Sequence, residues 1–600
     1  MPATVGPRGG GDDAALAWVI PGLAVATLAG VGSVWVAGAT ASALAGNGFL
    51  LPPATRETAA TLLHGGPAAL WPGVAAPLVW VIAGCLLAVA VAAVGFAAAA
   101  IARRLDGTRE PDAARALAGR RDVDALAGRA ADARARQLRP SLPSTGRAAR
   151  RAVPGAQVGL PLGALARGGT ALRSSWEDVL LAVFAPRAGK TTALAIPAVL
   201  DAPGPVVATS NKADLWAATA QLRSAEDSEP ARRTVWTFDP QRITHGTQQW
   251  WWNPLAGLNT VEQAHRLAGH FVQEVRTDSR TDFWTSAAHD LLTSLILAAA
   301  CDRRSLLDVY DWLNDPIGTP EALLTAAGHT SIAAALAGRR NGAPETRDGI
   351  YETARTAAQC LRDAAIMAWV TPPPRPMPSF DPDAFAVSTD ALYLLSKDGA
   401  GAAAPLVAAL TDRVMRAAVL AAERRGGRLD PPMVLVLDEA ANICRIADLP
   451  DLYSHLGSRG VVPVTILQSY RQGVRVWGEA GMDALWSAAT VKLIGPGIDD
   501  PRFAADISRL VGDHDVPTRS VSRGQGGRST STSLRRQPIL PPERIRELPR
   551  GRALLLATGT RPAIVRLTPW FTGPQAAEIG AAVTAATDQM TADASRAGGR

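Results

Sequence analysis

The run Ala185-Pro186-Arg187-Ala188-Gly189-Lys190-Thr191-Thr192 holds the residue types that cradle a triphosphate. It follows the apolar stretch 179–184 and opens a helical pattern over 193–200. A strand, a tight loop and a helix opening on Gly-Lys-Thr aim backbone N–H groups at anionic oxygens. On this reading Pro186, Arg187, Ala188, Gly189, Lys190, Thr191 and Thr192 bind ATP. Lys190 reaches the β- and γ-phosphates, and Thr191 ligates Mg²⁺. An ordinary strand–turn–helix would share the layout, and Phe184 stands where the pattern has its first glycine. Lysine usage favours the phosphate site. The chain carries 61 Lys plus Arg, yet its only lysines are Lys190, Lys212, Lys397 and Lys492. Arginine does not replace a compact ammonium among phosphates. The other three lysines lie at or near the ends of apolar runs. Ligands bind there in parallel sheets, but solvated lysines are common there too.

A second element completes the chemistry. Met433 to Leu437 is a continuous apolar run, as expected of a fully buried parallel strand, and it ends in Asp438-Glu439. Asp438 is placed to hold Mg²⁺ and Glu439 to polarise the attacking water. Alone, such an acidic pair could cap a helix. A third strand, 462–467, runs into Gln468-Ser469, and a polar residue at that tip can sense the γ-phosphate.

The elements that must position these residues follow from patterning. Six hundred residues allow several domains. The four cysteines, Cys85, Cys301, Cys360 and Cys444, have no paired spacing, which argues against a disulfide framework or a zinc site. A net charge of +7 permits contact with nucleic acid or anionic membrane. No charged residue lies between Asp13 and Arg56, nor between Glu57 and Arg103. Residues 14–43 and 75–101 are therefore expected to cross a bilayer, with Trp18, Trp71 and Trp80 near the interfaces. The loop 44–74 holds one arginine and the stretch 103–151 holds thirteen, so both termini are expected in the cytoplasm, the chain being a multi-pass protein of the cell membrane. Residues 103–151 read as an Arg/Ala-rich juxtamembrane helix and linker. Strands are expected at 205–209, 235–238 and 391–395, with an all-helical pattern over about 260–369 between them. Residues 518–537, rich in Ser, Thr, Gly and Arg, read as a mobile loop. Strands at 553–557 and 563–567 pair, and the tail from about Thr587 reads as disordered.

These residues resemble the type IV coupling proteins, the conjugation ATPases of the TraG/TraD kind, which are related to the FtsK/HerA DNA pumps. The matching motifs are Ala188-Gly189-Lys190-Thr191, Ser210-Asn211-Lys212-Ala213-Asp214 and Trp252-Asn253-Pro254-Leu255. Leu437-Asp438-Glu439-Ala440, Gly457-Ser458-Arg459-Gly460 and Leu467-Gln468-Ser469 follow in the same order. The resemblance implies an α/β fold: a RecA-like P-loop ATPase domain with an inserted all-α domain, preceded by two transmembrane helices. It divides the chain into a membrane region (1–102), a linker (103–160), the first part of the nucleotide domain (161–258), the insertion (259–372), the second part (373–572) and a tail (573–600). It implies catalytic roles for Glu439, Gln468 and Arg459, the last acting on a neighbouring subunit's nucleotide in a homo-hexamer. It also implies ATP and Mg²⁺ as cofactors. The implied partners are DNA (single- or double-stranded, bound without sequence specificity), relaxase and relaxosome proteins, type IV secretion channel components and the inner membrane. An FtsK/HerA-like DNA-pumping translocase and a catalytically weak membrane scaffold are the alternatives. Intact Lys190, Thr191, Asp438 and Glu439 argue against the scaffold.

Overall fold

A computed structural model describes residues 30–106, 116–143, 151–224, 233–275, 283–399, 401–524 and 527–598. The chain divides into two compact units, Met1–Pro111 and Asp112–Arg600.

In the first unit, the helix Ala76–Asp106 opens with an 18-residue stretch, Ala76–Ala93, of mean hydropathy 2.4, long and apolar enough to cross a membrane. The helix Gly30–Leu44 is apolar but shorter than a span, and residues 14–29 of the first expected span lie outside the described residues. Trp71, expected at an interface, is instead fully buried. Its ring lies edge-on to Trp35 and over Gly38, where any Cβ would come within 2.4 Å of the indole. Gly38 is therefore required by a close approach rather than by backbone freedom.

The second unit is built on an eleven-stranded sheet. Its strands are β1 (Pro161–Leu165), β2 (Ala171–Arg173), β3 (Leu180–Val183), β4 (Val206–Ser210), β5 (Val235–Phe238), β6 (Ala391–Leu395), β7 (Met433–Leu437), β8 (Val461–Leu467) and β9 (Val491–Ile494). After a separate hairpin of β10 (Asp513–Gly524) and β11 (Gly527–Pro538) come β12 (Arg552–Ala557) and β13 (Ala563–Arg566). The order is β2-β1-β13-β12-β9-β3-β8-β7-β4-β6-β5. The seven strands from β9 to β5 are parallel, and β12, β13, β1 and β2 continue the sheet antiparallel. The parallel strands are apolar on both sides because both faces are covered. Leu181, Val207, Leu392 and Leu435 pack under the helical insertion and the helix Ala404–Arg424. Leu180, Val206, Ala391 and Val434 pack under the helix that follows the phosphate loop. The insertion runs as helices from Val261–Val272 to Ala364–Met367.

Three expectations change here. Residues 518–537 lie largely in the paired strands β10 and β11, with Thr518 opposite Ser533 and Arg519 opposite Thr532, not in a mobile loop. Alternating β-branched threonine suits an extended pair even when neither face is apolar. The tail forms the helix Ala576–Gly598, which buries Ile579 and Ala582 on this unit. The Arg/Ala-rich stretch is not only a linker. Val123, Leu126 and Leu138 pack into the same core as Leu160 and Leu162, and Arg139 ion-pairs with Asp430 at 3.1 Å.

Candidate nucleotide site

Three neighbouring strands, β3, β8 and β7, end side by side, with Val183 opposite Leu467 and Leu437 opposite Thr465. The segments leaving those ends carry Lys190, Gln468 and the Asp438-Glu439 pair. This is where a parallel α/β sheet presents ligands.

Phe184, the departure in the phosphate loop, extends β3 by one hydrogen bond, its N–H donating to Leu467 O at 3.0 Å. Its ring is fully buried and lies against Gly495, at the end of β9. A Cβ at Gly495 would stand 2.2 Å from the ring, so the glycine missing from the loop's start is matched by one on the adjacent strand. The loop then turns through positive φ at Arg187 (62°) and Gly189 (88°), leaving Pro186 and Arg187 exposed. Thr191–Ala195 form a turn of π-helix that leads into the helix Ile196–Leu200. Such turns recur at functional positions.

Lys190 is largely buried, and its ammonium ion-pairs with Glu439 and stands 3.3 Å from Asp438 Oδ1. The Thr191 hydroxyl donates to Asp438 Oδ2 at 2.9 Å. Burial raises the Asp438 carboxyl above its ordinary value, against the opposing pull of Lys190 and Thr191. Asp438 Oδ1 is buried and accepts no hydrogen bond. A buried carboxylate oxygen whose close partner is the Lys190 ammonium alone, beside a threonine hydroxyl, fits a hard cation such as Mg²⁺. Among the described residues no cluster of three or more His, Cys, Asp or Glu could hold a metal alone, so the remaining ligands would be phosphate and water.

Glu439 sits at φ 59°, ψ 37°, a left-handed conformation unusual outside glycine. The Gln468 amide donates to both of its carboxylate oxygens at 2.7 Å. Asn442 donates to Glu439 Oε2 at 3.0 Å, and Gln472 holds Asn442 in turn at 2.7 Å. The hydroxyl of Thr209, on β4, fixes the Asp438 carbonyl at 2.9 Å. Sequence reasoning did not single out Asn442, Gln472 or Thr209. A polar residue one helical turn after each motif acid or amide was the only signal for the first two.

Arg459 is not brought to this site within one chain. It closes the turn Gly457–Arg459 before β8, at the opposite end of that strand from Gln468, and pairs with Glu423 at 2.9 Å. Lys212 and Lys397 are exposed after β4 and β6. Lys492 is not at a strand end: it lies within β9 opposite Leu181, and its ammonium sits 5.3 Å from the Trp486 ring centre.

The chain is similar to known proteins in sequence and in fold. Residues 151–312 match the family described as "Type IV secretory system Conjugative DNA transfer". Residues 432–550 match "TraM recognition site of TraD and TraG". In these two segments the chain is similar to the type IV coupling proteins. The conjugal transfer protein TraG of Agrobacterium fabrum is 25% identical over 408 residues, covering 65% of this chain and 60% of that protein. TraG of Rhizobium radiobacter is likewise 25% identical, covering 65% and 61%. The chain thus spans about 60% of the length of these coupling-protein relatives. The unbound monoclinic structure of the bacterial conjugative coupling protein TrwB is 18% identical with a TM-score of 0.50, covering 68% of this chain and 88% of that one. That likeness bears on the fold alone: a parallel α/β core interrupted by a helical domain.

Proposed function

We propose that the chain is a membrane-anchored ATPase that couples ATP hydrolysis to the recruitment and transfer of relaxase-bound DNA, or of protein, to a type IV secretion channel. The observation that carries this reading is the meeting of Lys190, Thr191, Asp438, Glu439 and Gln468 at adjacent strand ends. Pro186 to Thr192 cradle the phosphates. Thr191 and Asp438 would hold Mg²⁺, which would neutralise charge on the phosphate oxygens. Glu439 accepts the proton of the attacking water, and Gln468 orients both that carboxylate and the terminal phosphate. Lys190 must leave Glu439 to reach phosphate, which frees the carboxylate to act as base. Arg459 serves the neighbouring nucleotide in a ring of six, since it lies away from its own site. The domain division read from sequence accompanies this reading, with the 261–367 helices as the substrate-docking part.

Lys190→Ala should abolish nucleotide binding, whereas Glu439→Gln should keep binding and lose turnover by about 10²–10⁴-fold, because a base is needed only in the chemical step. Equilibrium nucleotide binding and phosphate release measure the two. Wild-type turnover by Glu439→Gln would remove the assignment. Two spans with both termini cytoplasmic accompany the proposal. A glycosylation tag near Gly65 should then report outside, and a tag that stays inside would sink the topology.

A further inference from the structure

The Trp252-Asn253-Pro254-Leu255 motif has no part in the nucleotide site. Trp252 and Pro254 instead line a cleft of about 410 Å³ between the first insertion helix, Val261–Val272, and the core helix Ala404–Arg424. It lies on the face of the sheet opposite the phosphate-loop helix. Four arginines, Arg266, Arg413, Arg416 and Arg424, converge on it from both helices, against the two carboxylates Asp383 and Asp412. Those carboxylates are already engaged. Asp412 accepts from Arg416 at 2.9 and 3.0 Å, and Asp383 pairs with Arg413. Burial alone would raise the Asp412 carboxyl, but His270 and Arg416 outweigh it and hold it below its ordinary value. Arg266 pairs with Glu262 and Arg416 also with Asp448, yet each Arg has five N–H groups and Arg424 enters no ion pair among the described residues, so guanidinium donors are left over. His270 is 5% exposed and lines the same cleft. Its Nε2 makes no hydrogen bond and stands 3.5 Å from Asp412 Oδ2.

We propose that this cleft grips a phosphodiester of a single nucleic-acid strand, as a subsite separate from the phosphate loop. The inference rests on the DNA-transfer reading above and says where the strand is held. The surplus donors fit a phosphate oxygen, and planar guanidinium forks match it bidentately. The apolar floor of Trp252, Pro254 and Leu267 offers no base-edge partner, so the contact carries no sequence preference. The cavity, about 410 Å³, is of nucleotide size.

The test uses the full chain in detergent, a labelled oligothymidine of about 20 nucleotides, and a salt series. Arg266→Ala/Arg424→Ala should bind about tenfold more weakly at 0.1 M salt and flatten the log–log salt slope by about 1, with nucleotide-only hydrolysis unchanged. Arg424→Gln alone, at an exposed helix end, should show the same trend if the double variant folds poorly. Arg347→Ala, on the outer surface of the insertion, should bind as wild type. An unchanged slope, or an equal loss in Arg347→Ala, overturns the proposal. So does displacement of the oligonucleotide by millimolar inorganic phosphate, which would make free phosphate the ligand. Failure of the hydrolysis reading would appear in Glu439→Gln and leave this slope in place, so the two are distinguishable.

Discussion

Glu439 is one of five non-glycine residues held at positive φ among the described residues. A left-handed non-glycine residue is disfavoured by about 1–2 kcal/mol, and here the strain aims a carboxylate at Gln468 and Lys190. Asp438 carries a second cost, a carboxyl in a buried place with one oxygen met only by the Lys190 ammonium at 3.3 Å. Its raised carboxyl means that the folded state holds the proton more tightly than the unfolded chain. Stability attached to this group is present at low pH and lost as pH rises through the shifted value. Asp438→Asn should therefore keep or raise the thermal midpoint at pH 7 without nucleotide, by about 1 kcal/mol or less. The gain should shrink toward pH 5, and Mg²⁺-dependent hydrolysis should be lost. A clear drop in midpoint at pH 7, read by scanning calorimetry, would show that the carboxylate is net stabilising. Lys190, Asp438, Glu439 and Gln468 were legible in the sequence because each sits in a local pattern of strand, turn and polar tip. The strain at Glu439 was not, since nothing in a non-glycine side chain announces a positive φ. Asn442 and Gln472 were hidden for another reason. A lone amide on a helix reads like any solvated residue until the fold sets it against a carboxylate.

At the scale of elements, Phe184 and Gly495 show how a departure from a motif is absorbed. The sequence marks the bulky residue at the loop's start, but its counterpart lies far along the chain on β9, and only the parallel pairing of β3 with β9 brings them together. Gly495→Ala should destabilise the protein by about 1–3 kcal/mol through overpacking against the ring. Phe184→Ala should cost about 3–5 kcal/mol through the cavity it leaves. The double variant should lose less than the two combined, with a coupling of at least about 0.5 kcal/mol, because each change relieves the other. Additive losses in denaturant unfolding would mean that the contact does not shape the loop. The strands of the buried sheet were readable as apolar runs, and the insertion by its helical period. The β10–β11 hairpin and the C-terminal helix are not legible as elements because their polar composition carries no strong apolar period. In the hairpin the backbone ladder pairs the two strands along their whole length. In the helix, Ile579 and Ala582 are a sparse apolar stripe in an Ala-rich run, enough to dock but too thin to stand out.

At the scale of the molecule, the fold class was legible because P-loop and acidic strand bracket an all-helical stretch, a pattern that few architectures share. The position of Arg459 was not, because its distance from the nucleotide depends on strand direction and order. Its pair with Glu423 is a half-exposed surface contact worth under about 1 kcal/mol, too little to explain a catalytic loss. If Arg459 acts across a subunit boundary, Arg459→Ala should bind nucleotide normally and hydrolyse poorly. Arg459→Ala and Lys190→Ala protomers, each inactive alone, should recover activity on mixing, up to roughly a quarter of sites by random assortment around a heterologous ring. No recovery in oligomers confirmed by mass measurement would leave Arg459 a surface residue.

β8 joins these two ends. Its seven residues, buried throughout, span about 23 Å, with Gln468 leaving one tip and the Arg459 turn entering the other. Gripped on both sides by β3 and β7, the strand cannot flex independently of the sheet, so it behaves as a rigid strut. On the trans reading, a shift at Gln468 when phosphate leaves one protomer would reach the finger poised over the next only by carrying β3 and β7 with it. Sequential firing around a ring would then need no dedicated relay: the order of turnover would be written into the stiffness of one strand.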